Sequence, residues 1–222
     1  MDITLKQPRF AAKIAAPTSK SAAHRQMIAA AFATAPTNIY FSQTCDDIVA
    51  TARCLRALGV GVEEKENGVC ITPSKDLPES AVCDCGESGS TLRFLLPVAA
   101  ALGVKTTFLR RGRLPQRPLE PLLSVLCAHG AQIEEGEVGA ITVSGKLQPG
   151  EYAIEANVSS QFVTGLLFAL SLLPYPSTLL LKGEIESAPY INMTLEALTA
   201  FKASPIAVAS NIFNCNAFIL SR

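Results

Sequence analysis

A pattern that occurs three times is the feature that most constrains how this chain can fold. Each copy joins the end of an apolar helix to two short apolar strands separated by a polar turn, at residues 54–74, 125–145 and 197–221. Gly59 and Gly130 follow the helix in the first two copies, where glycine adopts a left-handed backbone at little cost, and Lys202 takes this place in the third. Copies spaced about 70 residues apart predict compact units of several elements rather than a solenoid.

A second helix in each copy begins with hydroxyl side chains and is apolar on nearly every side. These helices are predicted at 19–34, 88–102 and 159–173, and helices with so little polar surface must be buried. Apolar strands precede and follow them, with the sequences NIYF, AVCDC, TTFLR, YAIEA and TLLLKG. The sequence therefore predicts an α/β (α+β) fold, a pseudo-threefold domain of three βαβαββ units with buried parallel helices. The units are expected at about 17–80, 81–150 and 151–222, after a separate N-terminal strand segment at 1–16.

The composition limits the kinds of partner that this chain can bind. Hydrophobic residues make up 49% and charged residues 17%, and the 19 Lys and Arg residues balance 19 Asp and Glu residues. A neutral chain of this kind is not expected to bind nucleic acid, and its longest apolar run, 162–173, is too short to span a membrane. The start MDITLKQPRF has no apolar signal region, and the seven cysteines contain no CxxC pair. We expect a cytoplasmic protein with free thiols and no metal.

Convergence of the three buried helices would create a site for anions. A helix N-terminus carries partial positive charge and free N–H groups, so three N-termini at one end of the domain attract phosphate or carboxylate. The hydroxyl-rich starts are Thr18–Ser21, Glu87–Thr91 and Ser159–Gln161, and Lys20 adds a cation. The alternative is that these hydroxyl groups are ordinary helix caps.

Five motifs identify a family resemblance. They are PTSKSAAHR (17–25), CGESGSTLRFLLP (85–97), LPQRPLEPLL (114–123), VSSQFVTGLL (158–167) and ESAPYINMTLEAL (186–198). In this order they resemble the N-terminal half of the 5-enolpyruvylshikimate-3-phosphate synthase family. The resemblance implies one half of an inside-out barrel protein, in which two such domains close over a cleft. It also implies transfer of the enolpyruvyl group of phosphoenolpyruvate to the 5-hydroxyl of shikimate 3-phosphate with release of phosphate, a step of the shikimate pathway that needs no cofactor.

The resemblance assigns site residues in two overlapping sets, and Lys20 is the expected catalytic residue. The donor set, expected to contact phosphoenolpyruvate, is Lys20, Gly89, Arg117 and Gln161. The acceptor set, expected to contact shikimate 3-phosphate, is Lys20, Ser21, Arg25, Ser159, Ser160, Gln161, Ser187 and Tyr190. Simpler roles stay open for three of these residues: Arg117 as a solvated loop residue, Ser187 as a helix cap and Tyr190 as a packing residue.

Three other residues near these motifs receive no primary role. Arg93 is expected to pair with a neighbouring acid as readily as with a ligand. His24 is expected to be structural rather than catalytic. Glu87 stands where some relatives carry asparagine, and a carboxylate cannot donate a hydrogen bond to an anionic ligand.

Two alternative functions remain open. The first is the related transfer of an enolpyruvyl group to a UDP-linked amino sugar, although that family typically has Lys-Asn where this chain has Lys20-Ser21 and a cysteine in the loop that here reads LRRGRLPQRP. The second is a non-catalytic anion-binding module. No residues of this sequence match the acidic and basic groups that the family's second domain supplies. We therefore expect that C-terminal domain to be the missing intramolecular partner, and we expect this chain to be inactive alone.

Overall fold

The structure is a computed structural model that describes residues 16–74, 76–185, 187–201, 206–209 and 211–215. The helices in this part of the chain are α1 (Lys20–Ala31), α2 (Asp46–Ala57), α3 (Gly89–Leu102), α4 (Leu122–Ala128), α5 (Ser160–Ser171) and α6 (Ala188–Ala200). The strands are β1 (Thr37–Tyr40), β2 (Gly61–Lys65), β3 (Gly68–Thr72), β4 (Ser80–Asp84), β5 (Lys105–Leu109), β6 (Ala131–Glu135), β7 (Ile141–Gly145), β8 (Glu151–Glu155), β9 (Ser177–Lys182), β10 (Ile206–Ala209) and β11 (Ile212–Cys215). None of the helices in these ranges is long and apolar enough to cross a membrane.

The strands form three sheets, and each sheet is built within one of the predicted units. The second and third sheets share one order, β4-β5-β7-β6 and β8-β9-β11-β10, in which the first pair is parallel and the rest are antiparallel. The first sheet has the order β1-β3-β2 among the described strands. The βαβαββ prediction is therefore confirmed for the second and third copies. The strand predicted at 1–16 lies almost wholly outside the described residues, as do Lys202 and residues 216–222 of the third copy.

Helices α1, α3 and α5 lie in the core, as their composition predicts. In α3 and α5 all but a few residues are buried, whereas α1 buries the polar side chains of His24 and Arg25 together with its apolar face. The three helices differ in how closely they approach one another. Helices α3 and α5 share the most extensive helix–helix contact, and α1 reaches across to them through long side chains, with Arg25 hydrogen-bonded to Thr164 of α5.

Candidate functional site

The three core helices begin in the same way. Ser19, Ser88 and Ser159 are their N-caps, and each hydroxyl accepts a hydrogen bond from a backbone N–H, at 3.4, 3.3 and 3.2 Å respectively. The cap interpretation therefore holds for these three serines, although a hydroxyl that accepts a bond still has its own proton to donate. The next two positions on each helix are equivalent across the units, and they are Lys20 and Ser21, Gly89 and Ser90, and Ser160 and Gln161.

These helix starts meet at one cleft of about 310 Å³. Its lining residues are Lys20, Asp47, Glu87, Gly89, Ser90, Arg117 and Gln161. All four members of the donor set therefore border the same space, and they come from the starts of α1, α3 and α5 and from the loop before α4. The cleft is polar, and helix N-termini around it favour an anionic occupant.

Two guanidinium groups lie close to Gly89 at the start of α3. A Cβ atom at this position would lie 3.1 Å from Nη1 of Arg117 and 3.4 Å from Nη1 of Arg93. Burial, and then the positive charge of Arg117, lower the pKa of Arg93 from its usual value. Two cations this close together, with the open N–H groups of a helix start beside them, form a site that binding of an oxyanion would stabilise.

Arg93 has a larger role in this cleft than the sequence indicated. Its guanidinium donates to Oε1 of Gln161 at 2.6 Å and to the carbonyl oxygen of Pro118 at 3.0 Å, and Nε2 of Gln161 donates to Ser90 at 2.9 Å. In the described part of the chain its partners are thus neutral oxygens, not the neighbouring acid that the sequence left open as an alternative. Arg93 lies one helical turn after Gly89, so it falls on the same face of α3, and this spacing was an available sign of its place at the cleft.

Asp47 lines the cleft and was missed in the sequence. Its carboxylate accepts a hydrogen bond from Nζ of Lys20 at 2.6 Å. That bond is the main reason why the pKa of Lys20 is raised, while burial and Arg117 act in the opposite direction. Burial raises the pKa of Asp47, but hydrogen bonds from Lys20 and Ser88 outweigh it, so the pKa is lowered overall. Both groups are therefore charged at neutral pH. In the sequence, Asp46 and Asp47 look like the acids commonly found in the first turn of a helix, so no local pattern marked Asp47 as part of the cleft.

Arg25 is a buried cation with neutral partners. It is 3% exposed and donates to Thr194, to Thr164 and to the carbonyl oxygen of Ser21, at 2.8, 3.0 and 2.9 Å. Burial lowers the pKa of Arg25 to about 10, so it stays charged at neutral pH. No carboxylate of the described residues forms an ion pair with it, so an anionic ligand could supply the missing negative charge.

The remaining acceptor-set residues lie outside the lining of the 310 Å³ cleft. Tyr190 lies on α6, is 46% exposed and has its ring 5.7 Å from the Arg25 guanidinium. Ser187 occupies the N-cap position of α6, but its side chain makes no capping hydrogen bond, so capping does not account for its hydroxyl. Ser159 and Ser160 are half-buried at the start of α5. The acceptor set is thus divided between the cleft and the adjoining starts of α5 and α6.

His24 and Glu87 occupy contrasting positions. His24 is buried, with Nδ1 2.7 Å from Oγ1 of Thr51 and its ring at right angles to that of Phe94. It does not line the cleft, which agrees with the structural role predicted for it. Glu87 does line the cleft, and its carboxylate lies directly over Gly112, where any Cβ atom would collide with it. A negative group thus stands at the edge of an otherwise anion-attracting site.

Comparison with known sequences gives a consistent set of relatives. The family model for EPSP synthase (3-phosphoshikimate 1-carboxyvinyltransferase) matches residues 5–212. A 3-phosphoshikimate 1-carboxyvinyltransferase of Clostridium kluyveri is 37% identical over 202 residues, which are 90% of this chain and 47% of that protein. One of Brachyspira hyodysenteriae is 33% identical over 214 residues, 96% of this chain and 50% of that protein. The chain therefore spans about half the length of the curated relatives it matches.

Solved structures show the same fold. EPSP synthase from Acinetobacter baumannii superposes with a TM-score of 0.76 at 23% identity, covering 93% of this chain and 47% of that one. The enolpyruvyl transferase NikO from Streptomyces tendae gives a TM-score of 0.62 at 15% identity, covering 91% of this chain and 47% of that one. At these identities the comparison establishes the architecture, and the similarity again extends over about half of each neighbour.

Proposed function

Since this chain belongs to the EPSP synthase (3-phosphoshikimate 1-carboxyvinyltransferase) family, we propose that it is the shikimate-3-phosphate-binding half of an enolpyruvyl transferase. The proposed reaction moves the enolpyruvyl group of phosphoenolpyruvate to the 5-hydroxyl of shikimate 3-phosphate and releases inorganic phosphate. The observation that supports it most directly is that Lys20, Gly89, Arg117 and Gln161 border one cleft. A cytoplasmic location and a second domain as partner belong to the same proposal.

The proposed chemistry is an addition followed by an elimination. The 5-hydroxyl oxygen bonds to C2 of phosphoenolpyruvate and loses its proton, while C3 gains one. The bond from C2 to the phosphate oxygen then breaks, C3 loses a proton and the vinyl ether is formed. Lys20 sits at the start of α1 as an ammonium group, so it can offset the charge of the departing phosphate and donate a hydrogen bond to it.

The other cleft residues hold the donor in place. Arg117 and Arg93 can each grip an oxyanion, and the glycine at position 89 leaves room for a ligand to reach the backbone N–H groups that open α3. Gln161 is fixed from two sides, by Arg93 and by Ser90, so its amide has a defined orientation toward the cleft. These groups position the substrate before any bond forms, which lowers the entropic part of the barrier.

Acceptor binding is assigned to the buried cation and the adjoining helix starts. Arg25 would pair with the carboxylate of shikimate 3-phosphate, with Tyr190 beside it. Ser159, Ser160 and Ser187 would hold the phosphoryl group, aided by the N-termini of α5 and α6. The groups that would act on the attacking hydroxyl from the opposite wall are expected on the second domain, so we expect this chain alone to bind the acceptor weakly and to turn nothing over.

Titration of shikimate 3-phosphate into the chain, followed by backbone amide NMR, tests this function. We expect saturable shifts at the starts of α1, α5 and α6 with a dissociation constant on the order of 1 mM. Arg25→Met should weaken binding at least about 10-fold, since a charge-assisted hydrogen bond contributes about 1.5–3 kcal/mol. Thr164 and Thr194 hydrogen-bond to each other at 2.9 Å, so this variant leaves neither hydroxyl unpaired.

The control for this titration is Arg56→Met, which removes an exposed arginine that pairs with Glu64 on the surface. UDP-N-acetylglucosamine serves as the second ligand, because it is the acceptor-type compound of the alternative transferase. Shifts with the UDP sugar and none with shikimate 3-phosphate would overturn the proposal in favour of that alternative. Equal binding by the two arginine variants would reject the role of Arg25.

Substitution of Gly89 by alanine should separate binding from stability. A methyl group here would press on the guanidinium of Arg117, whose flexible end can move aside, and alanine suits a helix better than glycine. We expect an unchanged or slightly raised melting temperature. Binding of phosphoenolpyruvate should weaken about 10-fold, because the methyl group blocks access to the N–H groups of α3.

Gly136→Ala is the matched control for this substitution, since a Cβ atom there would make only ordinary contacts with Ala140. Calorimetric titration and thermal unfolding of both variants give the two quantities. Unweakened phosphoenolpyruvate binding in Gly89→Ala would show that the ligand does not approach this helix start.

A further inference from the structure

A line of buried polar side chains connects the core to the cleft. Nδ1 of His24 is 2.7 Å from Oγ1 of Thr51, and Oγ1 of Thr51 is 2.7 Å from Oγ1 of Thr91. Oγ1 of Thr91 in turn donates to Oγ of Ser88 at 2.7 Å. All four residues are at most 2% exposed, and they belong to α1, to α2 and to the start of α3. The line therefore joins three elements through hydrogen bonds that water does not replace.

The line reaches Asp47, the residue that forms the ion pair with Lys20 in the cleft. Ser88 already accepts bonds from the backbone N–H and the hydroxyl of Thr91, so its own proton is free to be donated. The Ser88 hydroxyl is also one of the groups that lower the pKa of Asp47. Asp47 accepts from Lys20 at 2.6 Å on its other side. Thr91 shares its one hydroxyl proton between Ser88 and the backbone carbonyl of Asp47, whose oxygen lies 3.4 Å from Oγ1 of Thr91.

Every hydrogen bond in this line donates in the same direction. Each hydroxyl has one proton, and Thr91 uses its proton toward Ser88, so Thr91 must accept from Thr51. Thr51 has then used its proton and must accept from Nδ1 of His24. His24 therefore carries its proton on Nδ1. This agrees with Nε2 being a buried nitrogen without a partner among the described residues, since an unpaired acceptor is tolerated more readily than an unpaired N–H.

We propose that His24, Thr51, Thr91 and Ser88 are positioning residues that hold Asp47 in place, and through it Lys20, by a chain of hydrogen bonds that runs from His24 to Asp47. The reacting role of Lys20 rests on the proposed function. The chain of hydrogen bonds does not rest on that function, because only side chains of this protein form it.

The chain matters because Lys20 would otherwise be poorly fixed. Its side chain is 51% exposed and has four rotatable bonds, and an exposed ion pair by itself contributes little toward holding such a group. A carboxylate anchored by a buried network changes this, since only the lysine then has conformations to lose. The charged and titratable groups that act on Lys20 are Asp47, Cys45 and Arg117, and Asp47 is the one in direct contact.

The tautomer of His24 provides the first test and needs no substrate. The protein is labelled with ¹⁵N-histidine, and the signals of the ring nitrogens are observed by NMR at neutral pH. A His129→Gln variant assigns the signals of the two histidines. We expect the neutral Nδ1–H form for His24. The Nε2–H form would reverse the first hydrogen bond and overturn the directed chain.

The second test asks whether the buried end of the chain controls Lys20. The Nζ and Cε signals of Lys20 are followed as pH rises in the wild type, Asp47→Asn and Thr51→Val. In Asp47→Asn burial and Arg117 still lower the pKa of Lys20, and burial alone outweighs the opposing effect of Cys45, so the pKa should fall below 10.5, the ordinary lysine value. In Thr51→Val the midpoint should lie between the wild type and Asp47→Asn.

Thr106→Val is the matched control, because Thr106 is equally buried and its hydroxyl has the carbonyl of Val104 as its only partner among the described residues. If Thr51→Val titrates like this control and like the wild type, the chain does not position Lys20 and the proposal fails. Both tests are made on the protein without ligand. Their failure would therefore not contradict the proposed binding of shikimate 3-phosphate, and a failed titration with that ligand would not contradict the chain of hydrogen bonds.

Discussion

Replacement of Gly165 by alanine is expected to lower the free energy of unfolding by about 4 kcal/mol, which corresponds to roughly 10 °C in melting temperature for a chain of this size. A Cβ atom at position 165 would lie 2.2 Å from the carbonyl oxygen of Arg93 and 3.1 Å from Cγ of Pro97. The first neighbour is backbone, so α3 and α5 would have to move apart. Since both helices begin at the cleft, the same shift should disturb Arg93 and Gln161.

Pro97 explains why the two helices approach so closely at this point. Proline has no N–H, so the carbonyl of Arg93, four residues earlier in α3, lacks its usual helical donor. Gly165 has no side chain, so its backbone can approach that carbonyl closely. Thermal and urea unfolding of Gly165→Ala measure the effect, with Gly150→Ala as the control because its Cβ atom would have 4.0 Å of space. Equal stability of the two variants would contradict the close helix contact.

The repeat made most of the architecture predictable. Helix ends, polar turns and apolar runs recur with regular spacing, and the local rules for caps and turns act within a few residues. They located the starts of α1, α3 and α5 and the strands of all three sheets correctly in the described ranges. They could not show that α3 and α5 touch more closely than either touches α1, because that difference depends on the pairing of Gly165 with Arg93 across 72 positions of sequence.

The residues of the cleft were predictable in part. Residues at the starts of core helices could be found from capping patterns, and Lys20, Gly89 and Gln161 were found in this way. Asp47 could not be, because its contact with Lys20 spans 27 positions and depends on how α2 crosses α1. Arg25 lies one helical turn after Ser21, and its guanidinium donates to the backbone carbonyl of Ser21. Its burial against Thr164 and Thr194 is a tertiary effect that no local pattern encodes.

The stability of the wild type should fall by about 3 kcal/mol between pH 6.5 and pH 4 because of His24 alone. Burial is the main cause that lowers the pKa of His24 from 6.5 to about 4. In the unfolded chain the imidazole binds a proton below pH 6.5, whereas the folded protein does not bind it until about pH 4. Unfolding is therefore accompanied by proton uptake in this window, so the stability present above pH 6.5 is lost as pH falls and the loss levels off below pH 4.

Comparison with His24→Gln isolates this effect from every other titrating group. Glutamine does not titrate, and its amide can still donate to Thr51, so the variant should remain folded and keep a similar hydrogen bond. Urea unfolding of both proteins at several pH values between 7 and 4 gives the two stability curves. Asp47 and Asp84 have lowered pKa values, so their contributions are lost only below the usual aspartate pKa of 3.8, beneath the window measured. The wild-type curve should be the steeper one, and parallel curves would mean that His24 takes up its proton as readily in the folded protein as in the unfolded chain.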